Sequence, residues 1–292
     1  MKDFTSLTRR KFIQTSFAGA AACSALSLQA EESGSGPKRG KDPYRGLKVG
    51  VASYSLRKFS LDDAIEMTQK LGVKYITLKD FHLPRNSTKS QRQEVRKKIE
   101  DAGLILMGGG VINMQNAEAE VRSAFEYAKD AGMPLIVASP EPKAMDVLEK
   151  IVKDYDIRVA IHNHGPEDQK SKKFPSPYDV MQAVKNRDKQ IGLCLDVGHT
   201  MRIGLDPVAA VKRCASRLYD MHFKDVTSAT SEGKNIEVGK GIINIVSLLK
   251  AILDIHFTGH VALEYEINET NPLPGMSESL AYTRGVLAAL RP

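Results

Sequence analysis

Four apolar runs of this sequence end in residues that can bind metal or move protons. Ala160-Ile-His-Asn-His carries His162 and His164; Cys194-Leu-Asp-Val-Gly-His carries Asp196 and His199. Asp220-Met-His-Phe-Lys carries His222 and Lys224, and Ala262-Leu-Glu-Tyr-Glu carries Glu264 and Glu266. Lys79 and His82 follow a fifth run and Glu141 a sixth. On a strand, residues two apart share a face. His162 then points with His164 and away from Asn163, Asp196 with Cys194, His222 with Asp220 and Lys224, and Glu264 with Ala262 and Glu266. If the runs lie side by side, His162, Asp196, His222 and Glu264 converge on one point. Two imidazoles and two carboxylates suit one divalent ion, Mn, Zn, Co or Fe rather than Mg, which prefers oxygen alone. A single strand histidine is usually a satisfied core or surface group. Four such residues on successive strand ends are not explained that way. The literal His-Asn-His run shares only its letters with the nuclease of that name, whose residues are spaced across a hairpin and a helix.

Something must bring those ends together. Short Val/Ile/Leu-rich runs recur eight times: LKVGVASYS, KYITLKD, LILMGGGVI, PLIVASP, RVAIHNH, IGLCLDVGH, LYDMHFKD and HVALEYE. Amphipathic stretches such as SLDDAIEMTQKLG, KSQRQEVRKKIEDAG, AEAEVRSAFEYAKDAG and DPVAAVKRCAS alternate with them, and Gly72, Gly103 and Gly132 suit helix C-termini. Continuous apolar strands alternating with helices predict a parallel sheet. Eight strands match a single (β/α)8 TIM barrel of the α/β class over residues 46–292. The rival, an open doubly wound sheet, lacks a Gly-x-Gly-x-x-Gly run after its first strand. The glycines at 108–110 are read as relief of crowding rather than a phosphate cradle. In such a barrel the chemistry lies at the C-terminal ends of the strands, where all the polar residues above fall.

The rest of the chain sets its context. With 42% hydrophobic and 26% charged residues, it can bury a substantial core. The formal charge of +7 is partly carried by Lys2, Arg9, Arg10 and Lys11, and no basic block interleaved with aromatics points to nucleic acid. Residues 1–30 have the layout of a twin-arginine export signal: Arg9-Arg10, then Phe12-Ile13 and an alanine-rich run, with cleavage expected after Ala30. Cys23 leaves a lipoprotein-type site as the alternative. The expected setting is periplasmic, with the twin-arginine export machinery as a partner and no stable membrane span after processing. Residues 31–45 read as a solvated linker. Cys194 and Cys214 read as buried free thiols. A homo-oligomer is an open expectation.

Together, the stretch from Val51 to Pro84, GLCLDVGHTMRIGLDP, LYDMHFKDV, EVGKGIINI and VALEYE resemble the xylose isomerase-like TIM-barrel superfamily. Its sugar (phosphate) isomerases and epimerases are closest in look, over roughly residues 47–290. The resemblance implies metal ligation by Asp196, His222 and Glu264, and a substrate-hydroxyl contact from His199. His162 stands where the epimerases usually carry a glutamate, so only Glu264 remains of their proton-exchanging pair. The arginine expected between the last two strands is also missing. The DNA-repair branch fits worse, because the third strand and the loop after the seventh offer no histidine.

These readings converge on a metal-dependent enzyme acting on a sugar or keto-sugar derivative through an enediolate. Glu264 would be the base, Lys224 or Lys79 the stabilising charge, and His164 or His199 the proton relay. Lys79, His82, Glu141 and Glu266 are candidate substrate contacts; Glu141 could also stand in for His162 at the metal. Isomerisation, epimerisation and lyase cleavage share that first proton transfer. A metal-dependent hydrolase and a non-catalytic sugar-binding barrel are the rivals.

Overall fold

The computed structural model describes residues 42–290; the export-signal reading of residues 1–30 and the linker up to residue 41 lie outside them. Eight parallel strands close into a ring: β1 (Lys48–Ala52), β2 (Tyr75–Leu78), β3 (Ile105–Met114), β4 (Leu135–Pro140), β5 (Arg158–His162), β6 (Ile191–Asp196), β7 (Leu218–Phe223) and β8 (His260–Leu263). They run in chain order, and β8 closes the ring against β1 with Lys48 opposite His260. The chain is a single TIM barrel.

Each strand returns through an outer helix: α1 (Leu61–Lys70), α2 (Lys89–Asp101), α3 (Glu118–Asp130), α4 (Met145–Val152), α5 (Pro177–Val184), α6 (Pro207–Cys214), α7 (Ile245–Asp254) and α8 (Leu273–Ala289). Capping boxes at Ser60, Thr88 and Ser176 start three of them, each satisfying two otherwise orphaned donors. The predicted C-terminal glycines 72, 103 and 132 take left-handed φ of 71°, 72° and 69°. Two short extra helices, Pro166–Ser171 and Val197–Arg202, follow β5 and β6 at the rim.

Strand alternation divides the apolar residues between two regions. The larger lies between strands and helices, with Ile76, Phe125, Ile136, Ile161, Leu195 and Leu248 among its buried members. A small second cluster of Leu135, Val137, Ala160 and Cys194 fills the barrel interior. Ala160 and Cys194 sit one inward position below His162 and Asp196. The apolar cluster therefore forms part of the floor of the site.

β3 and β4 approach so closely that a Cβ at Gly108 or Gly110 would lie 2.6 or 2.1 Å from the carbonyl oxygens of Leu135 and Val137. Gly110 also holds a φ of +143°, which side-chain-bearing residues rarely adopt. We expect Gly110→Ala to cost on the order of 1–3 kcal/mol or more. An unchanged urea midpoint would refute the crowding reading.

One boundary differs from the sequence reading. Residues 42–45, assigned to the linker, form a turn docked on the barrel. Tyr44 is buried, its hydroxyl accepts from Arg284 (3.0 Å), and Arg45 donates to the carbonyl of Leu290 (2.7 Å). Polar composition hid a single anchoring aromatic. Cys194 and Cys214 are buried and free. No helix among the described residues is long and apolar enough to cross a membrane.

Candidate metal centre and active cavity

Three of the four proposed ligands are fixed by the sheet itself. His162 ends β5, Asp196 ends β6, and His222 on β7 stands opposite Asp196 in the ladder. Glu264 follows β8, and its N–H still donates to the carbonyl of Phe223 (3.0 Å). The Ser55 hydroxyl lies 3.3 Å from the Leu263 carbonyl and accepts from the N–H of Tyr265 (2.8 Å), pinning both neighbours of Glu264. Asn163 points the other way, as alternation requires. Its side chain accepts from the N–H of Asp196 (3.0 Å) and donates to Thr200 (3.1 Å). The two strand ends are thereby locked together.

The four side chains meet. One ligand atom from each of His162, Asp196, His222 and Glu264 lies within 4.8 Å of all the others. His162 Nε2 is 2.9 Å from His222 Nδ1 and 3.4 Å from Asp196 Oδ2, and His222 Nδ1 is 3.1 Å from Glu264 Oε2. Asp196 Oδ1 accepts from the N–H of His199 (2.7 Å), capping the short helix after β6. Its Oδ2 is buried with no hydrogen-bond partner. That oxygen, 3.0 Å from the Lys224 ammonium but without a hydrogen bond, lies beside two facing imidazole nitrogens, a set that fits a cation. The donor set of two nitrogens and two oxygens suits Mn, Zn, Co or Fe better than Mg.

Lys224 lies beside this point, buried among three carboxylates. Its Nζ is 3.0 Å from Asp196 Oδ2, 2.6 Å from Glu264 Oε2 and in contact with Glu266 Oε1. Burial opposes ionisation of Asp196 and Glu264. Lys224 and His199 nonetheless hold Asp196, and His222 and Lys224 hold Glu264, well below the usual carboxylate range. Burial, helped by His164 and His222, pushes His162 well down, so it stays neutral as a ligand must be. His222 moves the other way: burial opposes its charge, but Glu264 and Asp196 more than compensate.

Above the centre opens a cavity of about 260 Å³ whose wall includes Lys79, His164, His199 and Glu266 along with His162, His222 and Glu264. Lys79 Nζ donates to the carbonyl of Val111 (3.0 Å). The rings of His162 and His164 are 4.1 Å apart, and those of His164 and His199 5.6 Å. His82 and Glu141 are not brought here. His82 lies 3.0 Å from Ser53 Oγ and borders a separate hollow beside Leu83, while Glu141 pairs with Lys143 at 3.1 Å. Both follow their strand ends, where the chain turns and alternation no longer sets direction.

Sequence reasoning missed several wall residues. Tyr54 and Thr77 line the cavity. Glu167, on the short helix after β5, sits 3.3 Å from His199 Nδ1 and 3.0 Å from Arg202 Nη2. Its hydrogen bond to His199 is the main reason its carboxyl falls to about 2. The pair orients the His199 ring, with Nδ1 turned to Glu167 and Nε2 4.0 Å from Asp196.

A second polar layer lies under the first. Asp220 is one inward position below His222, and His260 opposite it lies 2.8 Å from Thr77 Oγ1. Burial raises Asp220 to about 7 and lowers His260 to about 3. An acid whose folded pKa exceeds its unfolded value contributes stability that is full below the unfolded value and lost as pH rises through the folded one. The loss falls between about pH 4 and 7 and amounts to at most about 4 kcal/mol. Asp220→Asn keeps the group neutral, so the metal-free variant should gain stability near pH 8 and little near pH 4. Equal urea midpoint shifts at both pH values would refute this assignment.

A family model described as the xylose isomerase-like TIM barrel matches residues 57–286. The chain belongs to this family. Solved structures agree in fold with this family member. An uncharacterized protein from Parabacteroides distasonis is 24% identical, with a TM-score of 0.63 over 81% of this chain and 98% of its own. A xylose isomerase domain protein from Planctomyces limnophilus is 15% identical (TM-score 0.63, 83% and 97% covered). A D-psicose 3-epimerase from Clostridium cellulolyticum, solved with D-tagatose, is 15% identical (TM-score 0.67, 82% and 99% covered). At these identities the likeness is one of fold. No curated protein matches the chain.

Proposed function

We propose that this family member is a metal-dependent enzyme of the sugar isomerase and epimerase kind, acting on a sugar or keto-sugar derivative with a carbonyl beside a hydroxyl. The observation that carries the reading is the convergence of ligand atoms from His162, Asp196, His222 and Glu264 at a polar cavity. His162, Asp196, His222 and Glu264 would hold one divalent ion, which when bound supplies Lewis acidity toward the carbonyl and acidifies the adjacent C–H. Glu264 takes the proton. Held ionised by His222 and Lys224, it is always ready to accept but weakly basic, so the reaction depends on that acidification. Lys224 fixes the charge and position of Glu264, while Lys79 presents its ammonium at the cavity wall as the charge facing the enediolate. His164 and His199 are the wall groups that return the proton, and Glu167 orients His199. The twin-arginine stretch supports an exported, periplasmic setting.

One feature favours a second outcome on the same site. Glu264 has no carboxylate opposite it on β5, where His162 stands, while two imidazoles share the wall. An imidazolium is suited to protonating a leaving oxygen, which turns proton abstraction into lyase cleavage of a keto-glycoside. The test is proton NMR of candidate keto-sugars in D2O with metal-loaded protein. Loss of a carbon-bound hydrogen signal supports the proposal, and the product distinguishes isomerase from lyase. Turnover without any such exchange would mean hydrolysis and overturn it.

A further inference from the structure

A second lobe of about 230 Å³ adjoins the main cavity, sharing Lys79, Gly110 and Val111 in its wall. Arg85, Asn113 and Tyr127 form the other side of this lobe, with Asp80 at its wall. Two cations face it with no carboxylate within ion-pair distance among the described residues, although the charges of Glu120 and Asp80 are felt by Arg85 from farther off. Among the described residues, Lys79 Nζ has one hydrogen bond, to the neutral carbonyl of Val111. The Arg85 guanidinium packs over the Tyr127 ring at 5.0 Å, and its Nε is buried with no hydrogen-bond partner. That ring is itself fixed, since Tyr127 donates its hydroxyl proton to the carbonyl of Leu83 (2.8 Å).

Arg202 Nε is likewise unpartnered, but the Nη atoms of Arg202 reach Glu167, and two other half-buried arginines have partners. Arg92 is 3.2 Å from Asp130 and donates to the carbonyl of Arg85, and Arg217 donates to three carbonyls at 2.7–2.9 Å. An arginine carries five donors and no acceptor, and leaving them unmet away from water is costly. Asp80 is the only acid of this lobe's wall, and it lies in no ion pair with either cation. Lys173 donates to Asn113 Oδ1 (3.0 Å), which leaves the amide N–H groups of Asn113 as donors. The lobe is thus a donor-rich extension of the reaction cavity.

We propose that this lobe is an oxyanion subsite that holds a carboxylate or phosphate group of the substrate between Lys79 and Arg85, while the carbonyl end of the sugar lies against Glu264 and the imidazoles. The planar fork of Arg85 suits either oxyanion, and Lys79 adds a point charge at the junction of the two spaces. The substrate class is therefore an acidic sugar. This rests on the sugar-enzyme reading above, but it is tested without turnover.

Calorimetric titration of the metal-loaded protein with glucose, glucuronate and glucose 6-phosphate compares a neutral ring with its two anionic relatives. At least one anion should bind roughly ten-fold or more tighter than glucose, and the tighter one identifies the group. In Arg85→Met and Lys79→Met the anion-to-neutral ratio should collapse toward one. Equal binding of all three, no binding of either anion, or a ratio that survives both substitutions would overturn the subsite. The two proposals fail separately. Loss of hydrogen exchange with the anion preference intact removes the enzyme reading alone. Exchange on neutral keto-sugars without that preference removes the subsite alone.

Discussion

Asp196→Asn is expected to lose at least about 100-fold in affinity for the divalent ion, more than second-layer changes at metal sites typically cost. Asparagine preserves the cap on the helix after β6, because its side-chain oxygen can still accept from the N–H of His199. What it removes is the charge of Oδ2, which faces His162 at 3.4 Å and Lys224 at 3.0 Å. The variant therefore separates ligation from folding in a way alanine does not, since alanine also deletes the cap at a cost of about 1 kcal/mol. Elemental analysis and titration of metal-stripped, tag-free protein give the answer. Near one ion per wild-type chain, absent from the variant, is the expected result. Wild-type affinity in Asp196→Asn would sink the centre. His162→Ala run alongside decides whether His162 holds the ion or only packs beside it.

The cluster of His162, Asp196, His222 and Glu264 was legible because three of its members lie on strands and the fourth directly follows one. Period-two alternation fixes which way Asp196, His222 and His162 point, and the closed parallel ladder then brings neighbouring strand ends together. Legibility stops where that periodicity stops. His82 and Glu141 follow strand ends in turning chain, and their side chains go to Ser53 and Lys143 instead of the cavity. Glu167 and Arg85 were invisible for the same reason in reverse. Both lie beyond the strands, and only tertiary packing brings one to His199 and the other to the lobe beyond Lys79. Tyr44 shows the parallel limit for the fold, one aromatic anchor inside a polar stretch. Lys224 is buried on the predicted inward face, but three carboxylates hold its ammonium and it is not part of the cavity wall.

Glu264→Gln is expected to lower turnover by about 10²–10⁴-fold, the usual contribution of a positioned general base. Glutamine is nearly isosteric, so the packing around residue 264 and the clamp by Ser55 on its neighbours should persist. The variant still offers one oxygen to the ion, and metal binding should weaken less than in Asp196→Asn. It cannot take a proton from carbon. Hydrogen exchange with D2O should therefore fall in parallel with turnover, a signature that lost metal affinity alone would not give at saturating metal. Lys224 makes the comparison sharper. Its ammonium lies 2.6 Å from Glu264 Oε2 and keeps contact with Glu266 and Asp196, so it retains two carboxylates when Glu264 is neutralised and the fold should survive. If Glu264→Gln instead keeps full exchange and turnover at saturating metal, the base lies elsewhere on the wall. His164 and His199 are then the groups in reach, and replacing each in turn would show which one takes the proton.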